Sequence, residues 1–151
     1  MASRQEKPHL KIRRARISDA SQIASLSGQL GYPATRLQVK ARLARILPLR
    51  QHAIFAAEST SKKVIGWAHV SVQPLVESEI RAELHGLVVA ENARSMGAGA
   101  KLLGAAEDWA RAMGCRAVSV RSNILRDRAH QFYERKGYQH YKTQKAFRKI
   151  F

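Results

Sequence analysis

A single cysteine, Cys115, in 151 residues leaves no internal disulfide and no thiolate-rich metal cluster, and a buried place at the opening of a strand is expected for it. There is no run of about 18 consecutive apolar residues, the length a membrane-spanning helix needs. The opening stretch MASRQEKPHLKIRRA places charges where a secretory signal carries its apolar segment, so a cytoplasmic chain with no membrane partner is expected. Acidic residues are scarce: 11 Asp and Glu stand against 27 Lys and Arg, a formal charge of +16. Such a field attracts polyanions of any kind, so nucleic acid is expected to bind only through non-specific charge. The sequence shows no helix-turn-helix, RNA-binding aromatic signature or zinc pattern, and no metal is expected.

The 45% of hydrophobic residues supply one core, which sets the expected organisation as a mobile tail over residues 1–8 and a single domain over 9–151. LKIRRARI alternates Leu10, Ile12 and Ile17 with basic residues, as a strand with one wet face does. A helix from Asp19 to Leu30 follows and stops at Gly31, and a second, capped by Thr35, ends at Pro48. HAIFAAE and KVIGWAHVSVQ read as strands joined by STSK, and IRAELHGLVVA as a third. Leu102, Ala106, Trp109, Ala110 and Met113 recur at helical spacing before Gly114. RAVSVRS is then a strand, RDRAHQFYERKG a helix closed by Gly137, and YQHYKTQKAFRKI a final strand region. The order predicts a mixed sheet with helices packed on its faces.

Between the third central strand and the next helix lies Arg94-Ser-Met-Gly97-Ala-Gly99. Two glycines where a helix begins cost helix stability, so they need a packing reason or a ligand reason. A helix start exposes backbone N–H groups at the positive end of the peptide dipole and binds anions there. The spacing is neither the P-loop pattern, which needs Gly-Lys-Ser/Thr, nor a dinucleotide fingerprint, which needs a third glycine and a ribose acid.

Arg-x-x-Gly-x-Gly after LHGLVV, with Leu102 and Leu103 beyond it, resembles the pyrophosphate-binding segment of the GNAT superfamily of acyl-CoA-dependent N-acetyltransferases. RAHQFYERKGY resembles that superfamily's later Ala-x-x-Phe-Tyr-Glu-x-x-Gly-Tyr/Phe signature, and the two blocks cover residues 83 to 138. The resemblance implies an α/β fold of the α+β kind, with a central mixed, mostly antiparallel sheet and helices on both faces. It implies acetyl-CoA as co-substrate and direct transfer of its acetyl group to a primary amine of a small molecule or protein. It further implies that Leu87, Val88 and Val89 offer strand backbone to the pantetheine arm, that Arg94 begins the phosphate loop, and that Ser95, Met96, Gly97, Ala98, Gly99 and Ala100 carry the pyrophosphate.

Amine acetylation needs a neutral nucleophile and a proton for the departing thiolate. Glu83 and His85 stand two apart in RAELHGLVV, on one face of an extended strand, and each is a candidate base. Either can equally face solvent or pair with Arg81. By resemblance Tyr133 is the acid that protonates the sulfur; packing beside Phe132 is the alternative. Many relatives carry Asn seven residues before this tyrosine, whereas Arg126 stands here, and Asn123 is displaced. Arg126 or Arg128 can meet the cofactor phosphates instead.

Glu77, Glu79 and Glu83 form either an acidic rim for a cationic amine or a hairpin edge kept soluble by charge, and Trp67 and His69 line the same groove or belong to the core. Two other readings stay open: a non-catalytic acyl-CoA-binding module, and a basic protein associated with nucleic acid or the ribosome. A homodimer is compatible with the sequence.

Overall fold

The computed structural model describes residues 9–151, and the tail expected over residues 1–8 lies outside the described residues. Two compact units divide the chain, one ending at Arg121 and the other spanning Ser122–Phe151. No helix among the described residues is long and apolar enough to cross a membrane.

In the first unit β1 (Lys11–Arg14) leads through a 3-10 turn into α1 (Ala20–Ser27), which continues as 3-10 helix to Leu30. Gly31 ends it in the left-handed region, φ 86°, where side chains other than glycine are strained. Thr35 caps α2 (Arg36–Ile46) as its residue type predicts: its Oγ accepts from the Gln38 amide at 3.2 Å, and Gln38 Oε1 accepts from the Thr35 amide at 3.0 Å. β2 (His52–Glu58), β3 (Val64–Leu75) and β4 (Ser78–Val89) form an antiparallel meander, α3 spans Ala98–Ala112, and β5 (Val118–Val120) joins β4 in parallel. The sheet order is β1-β2-β3-β4-β5.

Helices cover both sheet faces. Ile23, Ala24 and Leu26 of α1 and Val39 and Leu43 of α2 share one core cluster with Ile54, Ala56 and Val88. On the opposite face Leu102 of α3 reaches Gly66, where a Cβ would come within 3.1 Å of it. Cys115 is buried, and burial pushes its thiol up, although the strand itself starts three residues later.

In the second unit α4 (Asp127–Arg135) is closed by Gly137 at φ 87°. The strand expected over YQHYKTQKAFRKI is not there: residues 138–151 pair with no strand. Their large apolar residues, Tyr138, Tyr141, Phe147, Ile150 and Phe151, stand at intervals of three, six, three and one, so no period-two face exists to bury.

A buried ion network ties the start of the chain to the sheet. The Arg13 guanidinium donates to both carboxylate oxygens of Asp19 at 2.8 and 2.9 Å and to Glu58 of β2 at 2.7 Å. Burial alone would raise the Asp19 pKa, but hydrogen bonds from Arg13 and from the Arg16 amide bring it below its ordinary 3.8. Arg13→Met leaves buried Asp19 unpaired and is expected to cost about 3 to 5 kcal/mol in urea unfolding. Because the folded pKa is depressed, this contribution is full above the ordinary value and is lost as pH falls through the folded one. A loss under about 1 kcal/mol would place the network with exposed ion pairs instead.

Candidate active site

The register of β4 against β3 shifts twice, between Gln73 and Leu75 and, beside the site, between His69 and Val70. His69 pairs with Gly86 and Val70 with Leu84, which leaves His85 as the bulged residue. The bulge switches strand parity, so that Glu83, opposite Ser71, and Gly86 and Val88, opposite His69 and Trp67, all face the α1–α2 side. His52 of β2 stands opposite Ser71 on its other flank. One polar row therefore crosses three strands: His52, then Ser71 with His69 beside it, then Glu83 with His85.

His52 Nδ1 and His69 Nε2 are 2.9 Å apart and share one proton. The His69 and His85 rings lie 4.8 Å apart between centroids, and His85 Nε2 is 2.6 Å from the buried Ser71 hydroxyl. Burial, followed by the charges of His85 and His52, pushes the His69 pKa down to about 4. His85 is lowered too, by lost hydration first and then by His52 and Arg121, although its outer side is open to solvent. It is thus neutral at neutral pH, and with Nε2–H donating to Ser71 its Nδ1 lone pair can accept a proton. No group of three or more His, Cys, Asp or Glu side chains among the described residues is arranged to hold a metal ion.

Glu83 is 6% exposed and lies 3.4 Å from the Arg121 Nε. Tyr32, from the α1–α2 turn, and Gln73 complete a cleft of about 210 Å³ with Glu83, Leu84, His85 and Arg121. Glu83 and His85 do meet in one site, as their spacing predicts, but they do so through the bulge. Glu77, in the turn before β4, and Glu79, near its start, are exposed and do not line this cleft, so Glu83 is the one carboxylate among the described residues that does. Trp67 and His69 line a separate cavity of about 150 Å³ beneath α1 and α2. Gly86 is required there: a Cβ would come 2.7 Å from the Trp67 ring.

Beyond Leu84, β4 has no partner on its β5 side among the described residues, since the parallel pairing covers only Ala82, Glu83 and Leu84. Leu87, Val88 and Val89 pair with β3 alone and keep their other main-chain edge free. The chain then passes through a 3-10 turn, Glu91–Met96, to Gly97 in the left-handed region at φ 77°. Gly97 serves backbone conformation, so a bulky residue there strains the turn even though a Cβ would meet nothing within 4 Å. No side chain caps α3, and the first helical bond runs from the Lys101 amide to the Gly97 carbonyl. The amides of Ala98, Gly99 and Ala100 have no partner within α3 and point toward its open end. Free strand edge and uncapped helix start together fit a long ligand ending in phosphate. Arg94 is exposed in the turn between them.

Tyr133 and Arg126 belong to the second unit. The Tyr133 ring stands edge-on to Phe132 and Tyr138, with centroids 5.3 and 5.6 Å away. Burial pushes its hydroxyl up to about 12, against the opposing charge of Arg126. The sequence did not single out His52, Ser71, Gln73, Tyr32 or Arg121.

The sequence model of the Acetyltransferase (GNAT) family matches residues 22–138, and the chain belongs to that family. It is an acetyl-CoA-dependent N-acetyltransferase. Aminoglycoside N(6')-acetyltransferase type 1 of Klebsiella aerogenes is 26% identical over 91% of this chain and 95% of its own. YhfO, an uncharacterized N-acetyltransferase of Bacillus subtilis, is 31% identical over 86% of this chain and 90% of its own. The same fold occurs in aminoglycoside N-acetyltransferase AAC(6')-Iy in complex with CoA, with a TM-score of 0.85 at 21% identity over 96% of this chain and 97% of that one. It occurs again in AAC(6')-Ih of Acinetobacter baumannii, with a TM-score of 0.83 at 16% identity over 95% and 99% of the two chains.

Proposed function

We propose that the acceptor amine enters the cleft of Tyr32, Gln73, Glu83, His85 and Arg121, where Glu83 holds it and His85 takes its proton. The observation that carries this reading is a neutral imidazole fixed by Ser71 beside a buried carboxylate, at the point where β4 frees its edge from β5. Acetyl-CoA, when bound, supplies the activated acetyl thioester. Leu87, Val88 and Val89 bond its pantetheine arm through their main chain, and the Ser95–Ala100 segment, with Arg94, receives its pyrophosphate. Arg126, in the position where relatives carry Asn, adds a charge for the phosphates.

Nδ1 of His85 accepts the amine proton as the nitrogen attacks, and the Tyr133 hydroxyl donates to the departing sulfur. With its pKa pushed up to about 12, that hydroxyl is protonated throughout the neutral range and so carries the proton the departing thiolate needs. Tyr133→Phe keeps the ring and removes the proton. Turnover is expected to fall roughly 10- to 1,000-fold with little change in acetyl-CoA affinity. Wild-type turnover in that variant would reduce Tyr133 to a packing element.

The aminoglycosides named for three of the relatives are polycations. The cleft has one carboxylate already paired with a guanidinium, in a chain of charge +16, which favours an acceptor of lower positive charge. Incubating the protein with acetyl-CoA and a panel of primary amines tests the function, with free thiol and acetylated product both measured. Thiol release matched by an acetylated amine is the expected result; release without acetylated amine in any case would contradict it.

A further inference from the structure

The charges around the cleft specify more than a small amine. Arg121 is 81% exposed while the Glu83 side chain it faces is 7% exposed, so the guanidinium stands on the solvent side of the carboxylate. Its Nε makes the nearest approach to Glu83, 3.4 Å, and a guanidinium carries five donors. Arg81 lies two residues before Glu83 on the same strand face, opposite the cleft residue Gln73. Its Nε is buried with no hydrogen-bond partner among the described residues. Arg81 does not itself line the cleft, so the guanidinium that a ligand there meets is that of Arg121, beside Glu83; the other nearby acids, Glu77 and Glu79, lie outside it as well.

We infer that the acceptor is a small amine that also carries an anionic group, its ammonium end against Glu83 and its anion on Arg121. This rests on the proposed acceptor cleft. Such a zwitterion reproduces the charges of the Glu83–Arg121 pair, so opening that pair to admit it leaves neither charge unmatched. A lone cationic amine leaves Arg121 without its partner, and a polycation sets further positive charge against it. The cleft volume of about 210 Å³ is also below the roughly 300 to 1,000 Å³ of sites for drug-sized ligands. A planar two-pronged donor suits a carboxylate or a phosphate alike.

Matched pairs with the same amine and different tails test this: β-alanine, γ-aminobutyrate and δ-aminovalerate against the n-alkylamines of equal chain length, with kanamycin as the polycation. The best carboxylated amine is expected to exceed its alkyl partner roughly 10- to 100-fold in kcat/KM, with the advantage shrinking as salt is added. Arg121→Gln should collapse the ratio to near one and Arg121→Lys should keep part of it. The ratio cancels any effect of Arg121 on the chemistry itself. A wild-type ratio at or below one, kanamycin as the best acceptor, or a ratio unmoved by Arg121→Gln would overturn the inference. Thermal shifts with the same pairs separate this inference from the function it rests on. Stabilisation by the carboxylated amines that Arg121→Gln abolishes, without turnover, sinks the catalytic reading and upholds the anion site; no stabilisation and no turnover sinks both.

Discussion

His85→Gln is expected to lower turnover at neutral pH by roughly 100- to 1,000-fold and to remove the acidic limb of the pH profile. Glutamine can still bond the Ser71 hydroxyl but cannot take up a proton. In the native protein the base must be neutral, so activity is present above the His85 pKa and is lost as pH falls through it. Since burial, His52 and Arg121 lower that pKa, the limb belongs below the ordinary 6.5. Raising the pH should restore part of the variant's rate by supplying free amine. Glu83→Gln should instead raise the KM for the amine and keep the limb. If Glu83→Gln abolishes the limb while His85→Gln retains it, the two roles are reversed.

Gly99→Asp tests the phosphate site without disturbing the left-handed turn at Gly97. A carboxylate in the first turn of α3 favours the helix by about 0.3 to 1 kcal/mol through the peptide dipole. It also occupies the amides and repels the pyrophosphate. Acetyl-CoA affinity is expected to fall roughly 10- to 100-fold, read by calorimetry, while the melting temperature holds or rises. Loss of affinity with gain of stability cannot come from misfolding. Unchanged affinity in the folded variant would remove the α3 start from the site.

Much of the frame was legible because it is local. Gly31, Gly114 and Gly137 mark helix ends and all adopt positive φ, and Thr35 caps α2 through the residue three positions later. The free edge of β4 and the amides of α3 followed from a contiguous motif. The polar row was not legible, because His52, His69 and His85 are 17 and 16 residues apart and meet only through register. The STSK connection held a partial signal. A short hairpin pairs residues equidistant from the turn, which brings His69 opposite His52, and the irregularity at Ala57/Glu58 shifts the actual partner to Ser71. The bulge had no such signal, since alternation within β4 cannot reveal a residue that is extra only relative to β3. Strand-like composition misled at residues 138–151, where no strand pairs.

Direct attack of the amine is expected, because the cysteine of this chain is poorly placed to carry the acetyl group. Cys115, its one cysteine, is 8% exposed with a thiol pushed up by burial, which is poor chemistry for an acetyl-cysteine step. Initial rates with acetyl-CoA and the best amine varied together test this most directly, repeated in Cys115→Ala. The account predicts intersecting double-reciprocal lines, as both substrates must be bound before transfer, and the same pattern in the variant. Parallel lines, with acetyl-enzyme detected by mass in the wild type and lost in Cys115→Ala, would contradict it.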